Sequence, residues 1–259
     1  MTDILDKFIE NAKQSVANGY YAKTDQKYKQ IPKNSLAEKL RKQKFSLICE
    51  IKHASPAGEY SFDNIDAKKT AQLFKNAGAD AISVVVEPNI FKGKLDNIPD
   101  VKCVGLPVLF KDFVFDEQQI KAAATLGADV ILLVVKVADR MGFDINDMIE
   151  KAHSHGLEVL LECYNADEMK RALETKADIL GINNRDLRTL KVDINVTKRI
   201  MKQIGEIDRP LISESGIKTK ADAEFVKNAG AKGILVGTAI WKAEDMNAKV
   251  NELSLGDRK

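Results

Sequence analysis

The sequence predicts an α/β fold: a (β/α)8 TIM barrel with extra N-terminal helices preceding the first strand. Three observations point there. From Phe45 onward, apolar runs of about five residues alternate eight times with stretches of helical period. The runs are apolar on both faces, as a parallel sheet covered by helices requires. A short motif recurs before every second run: Asn76-Ala77-Gly78-Ala79-Asp80, Thr125-Leu126-Gly127-Ala128-Asp129, Thr175-Lys176-Ala177-Asp178 and Asn228-Ala229-Gly230-Ala231-Lys232. In three of the four copies a Gly sits where a helix ends and a left-handed residue is needed. An internal repeat of two βα units argues for a closed barrel. An open doubly wound sheet would carry a Gly-rich turn after the first strand, and Glu50–Pro56 is not one.

The elements follow in order. Ile4, Leu5, Phe8, Ile9, Ala12 and Val16 form one apolar stripe, so a helix is expected from Ile4 to Val16 with Asp3 as its cap. A polar, Lys-rich connection runs from Asn18 to Asn34. Ser35-Leu36-Ala37-Glu38 reads as a capping box opening a helix to about Arg41. The expected strands are Leu47–Ile51, Ala81–Val86, Pro107–Phe110, Val130–Val135, Glu158–Leu161, Ile179–Ile182, Pro210–Ile212 and Gly233–Val236. Helical pattern follows each, and the segment after the second strand is short. Asp116…Gln119, Asn165…Glu168 and Thr219…Asp222 are further caps. The whole chain, 1–259, reads as one barrel domain: 1–44 a helical extension, 45–241 the barrel, 242–259 a helix and tail.

Composition narrows the function classes. The 259 residues are 44% hydrophobic and 30% charged, an ordinary globular balance. A net charge of +2 gives no reason to expect nucleic acid or an anionic membrane as partner. The basic residues between Lys23 and Lys44 are mixed with Asp, Glu and Gln and lack stacking aromatics, so a solvated surface is expected. Cys49, Cys103 and Cys163 are odd in number and widely spaced. They read as reduced thiols of a cytoplasmic protein, with no metal cluster. The longest apolar run, Val130–Val135, is far too short to span a bilayer.

The chemistry gathers where strands end. In this fold the C-terminal strand ends form the active face. Along the first strand Ile48, Glu50 and Lys52 share one face, Cys49 and Ile51 the other. Glu50 and Lys52, Lys111, Glu162, Asn183 to Asp186 and Ser213 to Ser215 therefore converge on one mouth, with Glu87 at the end of the second strand. A Glu–Lys pair alone could be structural. Repetition of the design around the rim indicates a polar site. Ser215-Gly216 and Gly237-Thr238 lie in the loops after the seventh and eighth strands. Gly there lets backbone N–H groups approach an anion, so a phosphorylated substrate is expected. His153 and His155 do not share a helix face, and His53 has no second ligand nearby, so none reads as a metal ligand.

Several motifs together resemble one family. Glu50-Ile51-Lys52-x-x-Ser55-Pro56, Lys111-Asp112-Phe113, Glu162, Ile182-Asn183-Asn184-Arg185-Asp186-Leu187 and Ser213-Glu214-Ser215-Gly216-Ile217 resemble indole-3-glycerol phosphate synthase over nearly the whole chain. The resemblance implies a carboxy-lyase of tryptophan biosynthesis. It would close, decarboxylate and dehydrate 1-(2-carboxyphenylamino)-1-deoxyribulose 5-phosphate, with no metal or organic cofactor. It implies catalytic roles for Glu50, Lys52, Lys111, Glu162, Asn183 and Ser215. Ser55, Pro56, Phe91, Phe113, Arg185 and Leu187 would bind the anthranilate side. Gly216, Gly237 and Thr238 would hold the phosphate. The chain departs from the usual pattern at Ala57, Val86, Phe110 and Tyr164. Two alternatives stand beside this reading: a phosphate-metabolite-binding barrel acting as sensor or subunit, and a sugar-phosphate isomerase such as phosphoribosylanthranilate isomerase. The isomerase would need a Cys base on the first strand and an Asp on the sixth; Cys49 points away and Asn183 holds the sixth-strand position. Monomer and homodimer are both compatible with the sequence.

Overall fold

The computed structural model describes residues 3–22, 32–56 and 58–256. The greater part of the Lys-rich connection and Ala57 lie outside the described residues. The N-terminal segment holds α1 (Ile4–Ala17), a 3-10 turn at Tyr20–Ala22 and α2 (Leu36–Lys42). Then come β1 (Ser46–Ile51), α3 (Ala67–Ala77), β2 (Ala81–Val85), α4 (Asn97–Lys102) and β3 (Val108–Lys111). The middle holds α5 (Glu117–Leu126), β4 (Val130–Val134), α6 (Val135–Met141), α7 (Ile145–Ser154), β5 (Glu158–Cys163) and α8 (Ala166–Leu173). The chain closes with β6 (Ile179–Asn183), α9 (Asn195–Ile204), β7 (Leu211–Glu214), α10 (Lys220–Asn228), β8 (Gly233–Val236), α11 (Thr238–Trp241) and α12 (Met246–Leu253).

The eight strands pair in sequence order, and β8 returns to β1, so the parallel sheet is closed. All eight expected strands are present. Their ends differ by one or two residues, because Lys111, Asn183 and Glu214 still hold ladder positions while Val135 already turns into α6. Alternation sorts the side chains as the first strand suggests. Ile48 joins Leu109, Leu132, Leu160, Ile179, Ile212 and Leu235 inside the barrel. Cys49 and Ile51 face outward with Val84, Phe110 and Leu161, under the helices.

The repeat before the even strands has a structural cause. Gly78 and Gly127 end their helices in left-handed conformation, at φ 118° and 93°, and Gly230 is at φ 111°. Each repeated Asp then ties a strand start to its neighbour. Asp80 accepts from Leu47 N at 3.0 Å, Asp129 from Val108 N and Asp178 from Val159 N, both at 2.8 Å. All of this lies at the N-terminal face, away from the strand ends that carry the charges.

The N-terminal segment serves both faces. Leu36 and Leu40 of α2 are fully buried, and Leu40 packs so close to Gly233 that a Cβ there would lie 2.9 Å from Leu40 Cδ2. Burying each leucine contributes roughly 1.5–3 kcal/mol. The capping box at Ser35 forms by half. Ser35 Oγ accepts from Glu38 N at 2.9 Å, while the other helix-start N–H groups, of Leu36 and Ala37, donate to Glu158 of β5 at 2.9 and 3.0 Å. Glu38 pairs with Lys42 instead. At Asn165 the Glu168 carboxylate likewise accepts from Tyr164 N, one residue earlier than a capping box would have it. The boxes at Asp3, Asp116 and Thr219 are complete.

Candidate active site

A cavity of about 1000 Å³ opens at the C-terminal strand ends. β1 contributes Glu50, 3% exposed, with Lys52 just beyond the strand on the same face. Glu50 bridges two lysines: its Oε1 lies 2.7 Å from Lys52 Nζ, and its Oε2 accepts from Lys111 Nζ at 2.9 Å. Lys111 closes β3 and also lies 3.1 Å from Glu214 Oε2. Glu162 of β5 and Asn183 of β6 complete the ring from the facing side of the cavity.

These groups set one another's protonation. Burial alone would raise Glu50, but Lys111 and Lys52 outweigh it and hold its carboxyl down at about 2. Burial would lower the Lys111 ammonium; Glu50, Glu214 and Glu162 reverse that and raise it well above the ordinary lysine range. Glu162 goes the other way, pushed up to about 8 by burial and then by the Glu214 charge. Burial raises Glu214 as well. Three carboxyls thus share two ammonium groups, and the third cannot ionise cheaply. The site holds a protonated lysine beside a protonated glutamic acid at neutral pH, which is the equipment of acid–base chemistry.

Apolar groups form one wall. The Phe8 ring from α1 stacks on Phe113 with centroids 4.9 Å apart, and Phe91 lies 5.7 Å from Phe8. Leu187 and Leu190 from the loop after β6 join them. Glu87 borders the cavity as expected, and its carboxylate is taken up by backbone. Its carboxylate is buried and accepts from the N–H groups of Asn89, Ile90 and Phe91 at 2.7–2.9 Å, which shapes the turn that presents Phe91.

The opposite wall is backbone. Ser215, at φ 67°, and Gly216, at φ 83°, turn the chain sharply after β7, and Gly237 and Thr238 open α11 beside them. Gly237 has a second reason to be glycine: a Cβ there would sit 2.6 Å from Glu50 Oε1. Lys218, Lys242 and Lys249 line the same end of the cavity.

The predicted residues Glu50, Lys52, Lys111, Glu162, Asn183, Ser215, Pro56, Phe91, Phe113, Arg185, Leu187, Gly216, Gly237 and Thr238 all line this one cavity. Ser55 does not; its hydroxyl donates to Glu59 at 2.7 Å and shapes the first loop from behind. Arg185 spends part of its guanidinium on Leu190 O. His53 is buried off the cavity, and His153 lies on the surface beside Asp178. Sequence reasoning passed over several members; besides Lys218, Lys242 and Lys249, two stand out. Phe8 looked like core because its stripe is apolar, and Glu214 was noted at a strand end without being assigned. Alternation would place Glu214 and Ser215 on opposite faces. The positive φ of Ser215 breaks the alternation and lets both serve the site. Gly181 makes the room, since a Cβ there would stand 3.1 Å from Glu214 Oε1.

Comparison with known proteins agrees with this geometry. The family model "Indole-3-glycerol phosphate synthase" matches residues 3–253. The chain belongs to the indole-3-glycerol phosphate synthase family. The protein of that name from Thermoanaerobacter sp. (strain X514) is 40% identical over 214 residues, which span 82% of this chain and 81% of that protein. Its counterpart from Oceanobacillus iheyensis is 36% identical over 252 residues, spanning 96% and 95%. Among solved structures, a 3-hexulose-6-phosphate synthase superposes with TM-score 0.61 at 20% identity, covering 81% of this chain and 98% of that one. That likeness concerns the fold alone.

Proposed function

We propose that this chain closes, decarboxylates and dehydrates 1-(2-carboxyphenylamino)-1-deoxyribulose 5-phosphate with Lys111 as the acid of ring closure. The observation that carries the assignment is the Lys111 ammonium, kept protonated by Glu50 and Glu214 and open to the cavity. The aromatic carbon that bears the carboxylate attacks the ribulose carbonyl carbon. The carbonyl oxygen takes the Lys111 proton and becomes a hydroxyl. The C–C bond to the carboxylate then breaks, CO2 leaves, and that electron pair restores the aromatic ring. Lys52 holds the carboxylate until that step.

Dehydration needs a proton for the leaving hydroxyl and a base for the adjacent CH. Glu162 is protonated near neutrality and suits the first task; once ionised it suits the second. Asn183 and Ser215 orient the ribulose hydroxyls. The wall of Phe8, Phe91, Phe113 and Leu187, with Pro56 and Arg185, takes the anthranilate ring. The phosphate lies on Gly216, Gly237 and Thr238, with Lys218 and Lys242 at the mouth. In this reading Ser55 supports the first loop, and the N-terminal extension, barrel and C-terminal helix work as one cytoplasmic unit.

The test is direct. Purified protein is given the substrate without added metal, and indole fluorescence is followed. Product formation that Lys111→Ala reduces at least about a hundredfold supports the assignment. Tight substrate binding with no product favours a sensor; near-wild-type turnover in Lys111→Ala removes the acid role.

A further inference from the structure

We propose that Asp112 is a positioning residue of this site, latched by Tyr21 of the N-terminal segment; the inference rests on the function proposed above. Asp112 sits between Lys111 and Phe113, where β3 leaves the sheet. Lys111, Asp112 and Phe113 all border the cavity, and Asp112 is buried there with its carboxylate engaged by protein groups. Its Oδ1 accepts from Phe113 N at 2.8 Å, and its Oδ2 accepts from the Tyr21 hydroxyl at 2.5 Å. The preceding residue, Tyr20, donates to Val86 O at 3.1 Å, so one 3-10 turn fastens the ends of both β2 and β3. Around the carboxyl stand Tyr21 and Tyr20 from that turn, Glu87 from the end of β2, Gln119 from α5 and Lys111 along its own strand.

Asp112 has no cation of its own among the described residues, unlike the buried Asp129, which is paired with Lys102. Burial leaves it raised to about 7, against the pull of Tyr21 and Phe113 N. The ionised carboxylate accepts both hydrogen bonds. Protonation weakens them and frees the Lys111–Phe113 turn to shift against the stacked Phe8 ring. The working form is the latched carboxylate. The Tyr21 hydroxyl keeps it ionised to lower pH than burial alone would allow, since a hydrogen bond to the charged form lowers a carboxyl pKa.

The test uses the whole chain. Tyr21→Phe removes one oxygen and leaves the packing. The Asp112 midpoint should then rise by about one pH unit, followed as a carboxyl ¹³C signal identified by its loss in Asp112→Asn. Relative to wild type, kcat should fall about tenfold near pH 6.5 and about twofold or less near pH 8.5. In the Asp112→Asn background, which keeps an acceptor for Phe113 N, adding Tyr21→Phe should change that pH ratio less than about twofold. An unmoved carboxyl midpoint overturns the latch. So does an equal loss at both pH values, which would make Tyr21 a plain strut. A wild type that makes no indole-3-glycerol phosphate defeats the proposed reaction, while the carboxyl titration still decides the latch.

Discussion

The two faces of the barrel each bury lysine and carboxylate, and they treat them oppositely. At the N-terminal face the count is one to one. Lys102 and Asp129 are both essentially inaccessible, and Asp129 also accepts from Val108 N and Asn34 N at 2.8 and 2.7 Å. Every lone pair there has a use. At the C-terminal face three carboxyls share two lysines, and both oxygens of Glu214 lack a well-aligned hydrogen bond although Lys111 lies 3.1 Å away. A buried group left short of partners costs stability. Such a shortfall persists where the groups must exchange protons with a substrate. The satisfied face holds the fold, and the unsatisfied face is the one equipped for the proposed chemistry.

Breaking the satisfied pair should have the largest effect. Lys102→Ala leaves Asp129 buried and unpaired and is expected to cost about 3–5 kcal/mol in denaturant unfolding. The kcat of the folded fraction should stay near wild type. At the other face Glu162→Gln should lower kcat about a hundredfold or more, equivalent to about 2.7 kcal/mol of barrel-top chemistry. Gly237→Ala probes both roles of that position. It drives a methyl into Glu50 and disturbs the proposed phosphate loop, so steady-state kinetics should show kcat reduced and KM raised together. The smallest effect is expected at Ser35→Ala, which removes the α2 cap beside the barrel floor. A loss of about 1 kcal/mol in unfolding with unchanged turnover would sharpen the contrast.

The C-terminal face also sets a pH dependence. Glu162 is raised in the fold from the ordinary value of 4.5 to about 8, so the native state holds a proton that the unfolded chain releases. The stability this contributes is fully present below pH 4.5 and is lost as pH rises through about 8. Asp112, raised from 3.8 to about 7, adds a slope of the same sign. Urea titrations should therefore show stability falling from pH 5 toward pH 8, and Glu162→Gln should flatten that fall.

The barrel was legible in the sequence because its signals are local. Strand runs, helix caps and the repeated Gly-x-Asp step report on neighbours a few residues apart. The proposed catalytic set was legible for a related reason: charged residues ending apolar strands stand out, as Glu50, Lys111 and Glu162 do. The hidden parts depend on contacts across the chain. Phe8 reaches the site only because α1 folds against the loops after β2 and β3. Glu214 faces inward only because the chain turns at Ser215. Glu158 looked like the start of a strand, and it caps a helix more than a hundred residues away. Ser55, carried in by motif, serves the loop rather than the cavity.

If the crowded carboxyls serve catalysis, relieving them should cost turnover and not stability. Unfolding free energy and kcat should be measured at pH 8 for Glu162→Gln and Asp129→Asn side by side. Glu162→Gln should keep or gain stability and lose turnover. Asp129→Asn should lose stability while its folded fraction turns over normally. If Glu162→Gln is instead destabilised as much as Asp129→Asn and still forms indole-3-glycerol phosphate at the wild-type rate, the division of labour between the two faces is wrong.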